Sequence, residues 1–255
     1  METGGNQYIT QCKSLNCCVV IPTYNNVKTL ERVILGVFEY AEDVIIVNDG
    51  ATDGSDKIID KYKDRLTIIT HNPNQGKGRA LRNAFIKAKE LGFDYIISID
   101  SDGQHYPSDL PKFYQAIEKN KGAVIMGSRN MAQASVPGKS SFGNKFSNFW
   151  FKLETGISLP DTQTGYRAYP IKAATKRGYF TSKFEFEIEV LVKLAWRDCK
   201  IIPIPIEVLY DPGERVSHFR PFWDFFRISC LNVYFVTLTV LWFFPRRMFR
   251  AALGK

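Results

Sequence analysis

From residue 17 onward, short apolar runs rich in β-branched residues alternate with longer stretches whose apolar positions recur at helical spacing. "CCVVIP", "DVIIVND", "LTIITH", "YIISID" and "AVIMGSR" are the short runs, and each ends on polar or turn-forming residues. Runs of this length and composition predict strands. Between them, "VKTLERVILGVFEYA" sets Leu30, Val33, Ile34, Val37 and Phe38 on one helical face. "SDKIIDKYKD" predicts a helix with Ser55 as its N-cap, and "GRALRNAFIKAKELG" predicts one ended by Gly92. Strand and helix in regular alternation imply an α/β fold, with a mostly parallel sheet covered by helices on both faces.

Sheets of this kind place ligands at the carboxyl ends of their strands. Those ends carry "PTYNN", "NDGATDGS", "HNPNQGKGRA", "DSDGQH" and "GSRN". Asp100 and Asp102 stand one residue apart after the fourth run, and Gly103 allows the chain to turn there. Two unpaired carboxylates so close repel until one takes up a proton, and a divalent cation removes that conflict. Oxygen ligands without a Cys or His cage favour Mg²⁺ or Mn²⁺, whose shell substrate phosphates complete. Alone, the same tripeptide fits a capping aspartate followed by a solvated turn. Asp49 either accepts hydrogen bonds from a ribose or base, or forms an Asp-Gly turn. Lys77 lies between two glycines as a candidate phosphate contact, although the spacing is not that of a P-loop.

Taken in order, "VVIPTYNN", "VNDGATDGS", "NQGKGRAL", "DSDGQH", "GSR" and "DTQTGYRAY" resemble the inverting glycosyltransferases of family 2, which have a GT-A fold. Within that family the sequence is most similar to the dolichyl-phosphate mannose synthase and polyprenyl-phosphate glycosyltransferase group. The resemblance implies a nucleoside diphosphate sugar donor, GDP- or UDP-linked, and a divalent ion, Mg²⁺ or Mn²⁺, at Asp100, Asp102 and Gln104. It implies a nucleoside pocket lined by Pro22, Tyr24 and Asn25, with Asp49 as base or ribose contact. Arg129 matches the arginine that binds the lipid phosphate, with Lys139 and Lys145 adding positive charge nearby. Asp161 and Arg167 fall where family members place acceptor-site residues, which makes Asp161 the candidate general base, or else an orienter. "DPGERVSHFRPF" resembles a loop that closes over the diphosphate, bringing Arg215, Ser217 and His218, the last where lysine is usual. Glu185, Glu187 and Glu189 form the acidic entrance of a helix, or else Glu185 or Glu187 is a donor-sugar or acceptor contact.

The C-terminal end changes the picture. "FRPFWDFFRI" mixes aromatics with charges as interfacial helices do, and "ISCLNVYFVTLTVLWFFP" follows without a charge. That stretch spans roughly 25 Å as a helix, marginal for a bilayer core of about 30 Å. The expected organisation is a polar tail over 1–16, a glycosyltransferase domain over 17–218, and a membrane-associating helical segment over 219–255. A net charge of +8 and 45% hydrophobic residues in 255 fit a full globular core with anionic partners. Lipid headgroups and phosphates meet that need, while no continuous basic, aromatic-interleaved stripe points to nucleic acid. The five cysteines lack metal-ligand spacing and suggest core thiols in a reducing compartment, and the start of the chain lacks a secretory h-region. The expected protein is therefore a membrane-associated, metal-dependent hexosyltransferase on the cytoplasmic face, using polyprenyl phosphate as acceptor. Transfer to a hydroxyl of a glycolipid or polysaccharide, and a non-catalytic membrane scaffold, are the alternatives.

Overall fold

The computed structural model describes residues 4–130, 138–209, 220–243 and 245. Seven strands form one sheet: β1 (Cys17–Thr23), β2 (Val44–Asn48), β3 (Leu66–Thr70), β4 (Tyr95–Ser98), β5 (Val124–Arg129), β6 (Arg167–Pro170) and β7 (Ile201–Ile206). Their spatial order is β3-β2-β1-β4-β6-β5-β7, and only β6 runs against the others. The helices are α1 (Gly4–Ser14), α2 (Val27–Phe38), α3 (Ser55–Lys61), α4 (Lys77–Glu90), α5 (Leu110–Lys119), α6 (Gly138–Thr155), α7 (Ile171–Ala174), α8 (Phe186–Trp196) and α9 (Pro221–Leu238).

Every residue of β1, β2 and β4 is buried, as strands covered on both faces must be. The two-residue period divides the core. Cys17, Val19 and Ile21 of β1 join the apolar faces of α2 and α5, whereas Cys18 and Val20 join those of α4 and α8. Cys12, Cys17 and Cys18 are free thiols packed as small core groups, and burial pushes the Cys12 thiol up to about 11.

Residues 4–14 were expected to belong to a polar tail. They form α1, which places Cys12 in the core and Tyr8 against Tyr40. Ser55 was expected as the N-cap of α3; that place is taken by Gly54 in the left-handed region, and Ser55 is the first helical residue. β7, "IIPIPI", tolerates Pro203 and Pro205 because it lies at the sheet edge, with only one side paired to β5.

The register gathers the polar loops at one edge. Thr23 of β1 pairs with Asn48 of β2, and Asn48 with Thr70 of β3, so those three strands end level. β4 ends at Ser98, opposite Arg167 at the start of antiparallel β6. The reversal of β6 brings "DTQTGYR" to the same edge as "DSDGQH".

Candidate active site

The turn after β4 is clamped from the loop after β1. Asn26 Nδ2 donates to Ser101 Oγ at 2.8 Å and Thr29 Oγ1 to the Ser101 carbonyl at 2.6 Å. Ser101 is buried between the two carboxylates, and Gly103 follows at φ +73, where a Cβ would meet the Arg32 side chain at 2.6 Å. Asp102 Oδ1 accepts from the Gln104 amide N–H at 3.0 Å, and the Gln104 carbonyl accepts from Leu209.

Asp100 is held from two sides. Lys77 Nζ, on the first residue of α4, lies 2.8 Å from Asp100 Oδ1 and 3.0 Å from Glu187 Oε2. A Cβ added to Gly165 would sit 2.4 Å from Asp100 Oδ2, so only glycine lets the "DTQTGYR" backbone approach the carboxylate this closely. Burial, the largest single influence, opposes ionisation of Asp100, but the Lys77 charge and hydrogen bond, with His105 and Arg167, together hold the carboxyl below its usual range. Burial likewise opposes the charge on Lys77, which Asp100 and Glu187 together more than restore.

On the other side, Arg129 and Asp161 form a two-pronged pair. Nε donates to Oδ2 at 2.6 Å and an Nη to Oδ1 at 2.9 Å, with the Arg129 and Gln163 backbone N–H groups adding bonds at 3.2 and 3.0 Å. Asp161 is fully buried. Desolvation acts to raise its pKa, and the guanidinium overrides it so that the carboxyl sits below its usual value. His105 lies within electrostatic reach of both pairs, feeling Asp100, Arg129, Lys77 and Asp161. Burial pushes its imidazole down to about 4, so it is neutral at pH 7; its ring packs at 5.3 Å from that of Tyr166.

Other residues singled out from the sequence are held by bonds within the protein. Asp49 does end β2, but its carboxylate accepts from His71 Nδ1 at 2.7 Å and from the N–H groups of Gln75 and Gly76 at 2.9 and 2.8 Å. Asn83 bonds His71 Nε2, which leaves Nδ1 to donate to Asp49. These bonds fix the loop that carries Lys77. Arg167 likewise makes its bonds within the protein. It is fully buried and donates to the carbonyls of Thr164, Glu187 and Thr162 and to Tyr169 Oη, tying "DTQTGYR" to α8. Asp161 already accepts from four N–H groups, and a carboxylate so engaged is a poor proton acceptor.

Pro22 is buried in β1, while Tyr24 and Asn25 are partly exposed at its end. Asn25 adopts φ +51 and accepts from Thr52 N–H at 2.7 Å. Lys145 is exposed on α6. Arg215, Ser217 and His218 lie outside the described residues, as does the side chain of Lys139. The sequence reasoning gave no role to His105, to the clamp on Ser101 or to Gly165. The glycine in "DTQTGYR" was the available signal for a close backbone approach.

Asp100, Asp102 and Gln104 offer oxygen donors only, a set that suits Mg²⁺ or Mn²⁺. Among the described residues no three His, Cys, Asp or Glu side chains gather as a cage. An ion here would take its remaining ligands from water or substrate oxygens.

A seven-stranded sheet with one reversed strand and charged side chains gathered at its carboxyl edge is a GT-A type fold. The fold is that of glucosyl-3-phosphoglycerate synthase from Mycobacterium tuberculosis, solved with Mn²⁺, UDP and phosphoglyceric acid. That comparison gives a TM-score of 0.69 at 17% identity, covering 94% of this chain and 84% of that one. Another structure of the same enzyme, with Mg²⁺ and UDP, gives 0.64 at 18% identity over 94% and 84%.

The chain belongs to the family described as Glycosyl transferase family 2, whose profile matches residues 18–178, and it is a glycosyltransferase. Among curated relatives, a UDP-N-acetylglucosamine–dolichyl-phosphate N-acetylglucosaminyltransferase of Methanococcus voltae is 29% identical, covering 75% of this chain and 85% of the relative. A polyprenol monophosphomannose synthase of Mycolicibacterium smegmatis is 25% identical over 74% and 75%. The human dolichyl-phosphate beta-glucosyltransferase is 26% identical over 83% and 72%.

Proposed function

We propose that the protein transfers a hexose, mannose or glucose, from a nucleoside diphosphate sugar to the phosphate of a polyprenyl lipid, with inversion at the transferred carbon. It does so at a membrane surface on the cytoplasmic side. The observation that carries this reading is the Arg129–Asp161 pair. Asp161 is held ionised and saturated with N–H donors, so the site offers a rigid cation rather than a base.

A phosphate monoester suits such a site because it is already an anion at neutral pH and needs no deprotonation. A hydroxyl acceptor needs a base that Asp161 does not supply. The acceptor phosphate oxygen attacks the anomeric carbon from the face opposite the diphosphate. The new carbon–oxygen bond forms as the bond to the diphosphate breaks, with no proton in transit. Arg129, oriented by Asp161, attracts and aims the acceptor, so catalysis rests on positioning. Pro22, Tyr24 and Asn25 line the nucleoside end. Lys77 keeps Asp100 ionised and fixed while the donor arrives. Asp100, Asp102 and Gln104 would hold Mg²⁺ or Mn²⁺, which when bound supplies charge stabilisation of the departing diphosphate. The neutral His105 lies within electrostatic reach of both charged pairs without adding a third charge.

The test incubates membranes containing the protein with Mn²⁺ or Mg²⁺, polyprenyl phosphate and a panel of radiolabelled GDP- and UDP-sugars. One donor is expected to label the lipid. Label appearing only on a hydroxyl acceptor would sink the proposal.

A further inference from the structure

α9 is amphipathic in the inverse sense. Its inward side carries Asp224, Leu231, Asn232 and Phe235, all buried, and two of these are polar. Its outward side carries Phe222, Phe226, Val233 and Tyr234, spaced at i, i+4, i+11 and i+12, with Trp223 beside them, all exposed. A helix on a water-facing surface places these classes the other way round. Exposed aromatics on this scale are suited to a lipid solvent, with Trp and Tyr at headgroup depth.

The helix is long enough to cross a bilayer: its apolar stretch runs Phe222–Phe243, 22 residues, with 17% of the most apolar window buried. Yet the globular domain flanks it from end to end. Phe225 packs on Phe146 of α6 at 5.0 Å, and Phe235 on Trp196 of α8 at 5.1 Å. Thr239 Oγ1 donates to the Glu154 carbonyl at 2.8 Å, and Phe243 stacks on Trp196 at 4.0 Å. A perpendicular crossing would carry α6 and the end of α8 into hydrocarbon, together with polar loops that cannot be satisfied there.

The neighbouring surface continues the same pattern. α6 exposes Phe149 and Leu153 among Lys145 and Lys152, and Phe180 packs edge-on against Tyr234 at 5.5 Å while remaining exposed. Lysines among apolar groups cover lipid with their stems and reach headgroups with their ammonium ends. Arg220 is exposed at the start of α9, and the sequence continues beyond it into Arg246 and Arg247.

We infer that α9, α6 and Phe180 form one membrane-contacting face, with α9 lying in the plane of an anionic bilayer rather than crossing it. The outward side of α9 enters the interface by roughly 5–10 Å, as monotopic helices do. This rests on the lipid-acceptor reading only for its purpose, which is to hold the cleft at the depth of a polyprenyl phosphate headgroup.

The experiment has two arms, both on the full chain. Purified protein is sedimented with vesicles of phosphatidylcholine and phosphatidylglycerol. Binding is expected, with at least a tenfold loss in Trp223→Glu/Phe226→Glu, whose circular dichroism should match wild type. In sealed membranes from expressing cells, a tag after Lys255 and a protease site inserted at the exposed Thr52 loop should be cut from the same side. Equal binding by the double variant, no binding by wild type, or a protected tag beside a cut loop overturns the inference. Transfer to polyprenyl phosphate in detergent is read separately. Labelled lipid without vesicle binding sinks this surface alone, and vesicle binding without label sinks the transferase reading alone.

Discussion

Glu154 offers a prediction whose size follows from its surroundings. It lies on α6 at the seam with α8 and α9, fully buried, and neither carboxyl oxygen has a hydrogen-bond partner among the described residues. Burial pushes its pKa from 4.5 up to about 8, so the folded protein holds it protonated at neutral pH. The unfolded chain ionises it above about pH 4.5. Between those two values the native state binds the extra proton, so stability falls as pH rises, by about 1.4 kcal/mol per pH unit. Below the lower value and above the upper one this group contributes no slope. From pH 5 to pH 8 the loss attributable to Glu154 is therefore on the order of 3–4 kcal/mol. Glu154→Gln keeps the shape and removes the titration. Urea unfolding of both proteins in mild detergent at pH 5, 6, 7 and 8 should give stability curves that diverge in slope across that interval. Parallel curves would refute the picture of a neutral, unpartnered carboxyl at this seam.

Three further substitutions probe the cleft. Gly165→Ala drives a methyl to 2.4 Å from Asp100 Oδ2, and transfer should fall by about 100-fold or more while circular dichroism is retained, as expected when a reacting centre is displaced. Asp161→Asn keeps the shape but leaves Arg129 without its carboxylate partner; kcat should fall with an unchanged pH profile above pH 6, whereas loss of a basic limb in that profile would restore Asp161 as a base. Asp49→Ala strips three hydrogen bonds from the loop holding Lys77 and should cost about 2–4 kcal/mol in urea unfolding, together with weaker donor binding by calorimetry.

Most of the sheet was legible because five of the seven strands read as short apolar runs, four of them largely buried and β3 half-exposed at the sheet edge. β6 did not, since it is four residues long, begins with a buried arginine and is held by pairing to β4 and β5. β7 was hidden by its two prolines, which only an edge position permits. At the site, the D-x-D was visible at a strand end and Lys77 between two glycines, while Arg129 and Asp161 came from the family resemblance. Their partners were not. The distances from Lys77 to Glu187 and from Asp100 to Gly165 span more than sixty residues of chain, and only the reversal of β6 and the entry of α8 bring them together. For the same reason the hydrogen bonds that Asp49 and Arg167 make to the protein's own loops were not legible.

The central claim is that a phosphate oxygen, steered by Arg129, receives the sugar. Phosphorus-31 and carbon-13 spectra of the product made from a donor labelled at the anomeric carbon test it most directly. The acceptor's monoester signal should give way to a phosphodiester whose phosphorus couples to the labelled carbon, in the configuration opposite to the donor's. A monoester signal left intact while the labelled sugar appears in a glycosidic bond to a hydroxyl would contradict it.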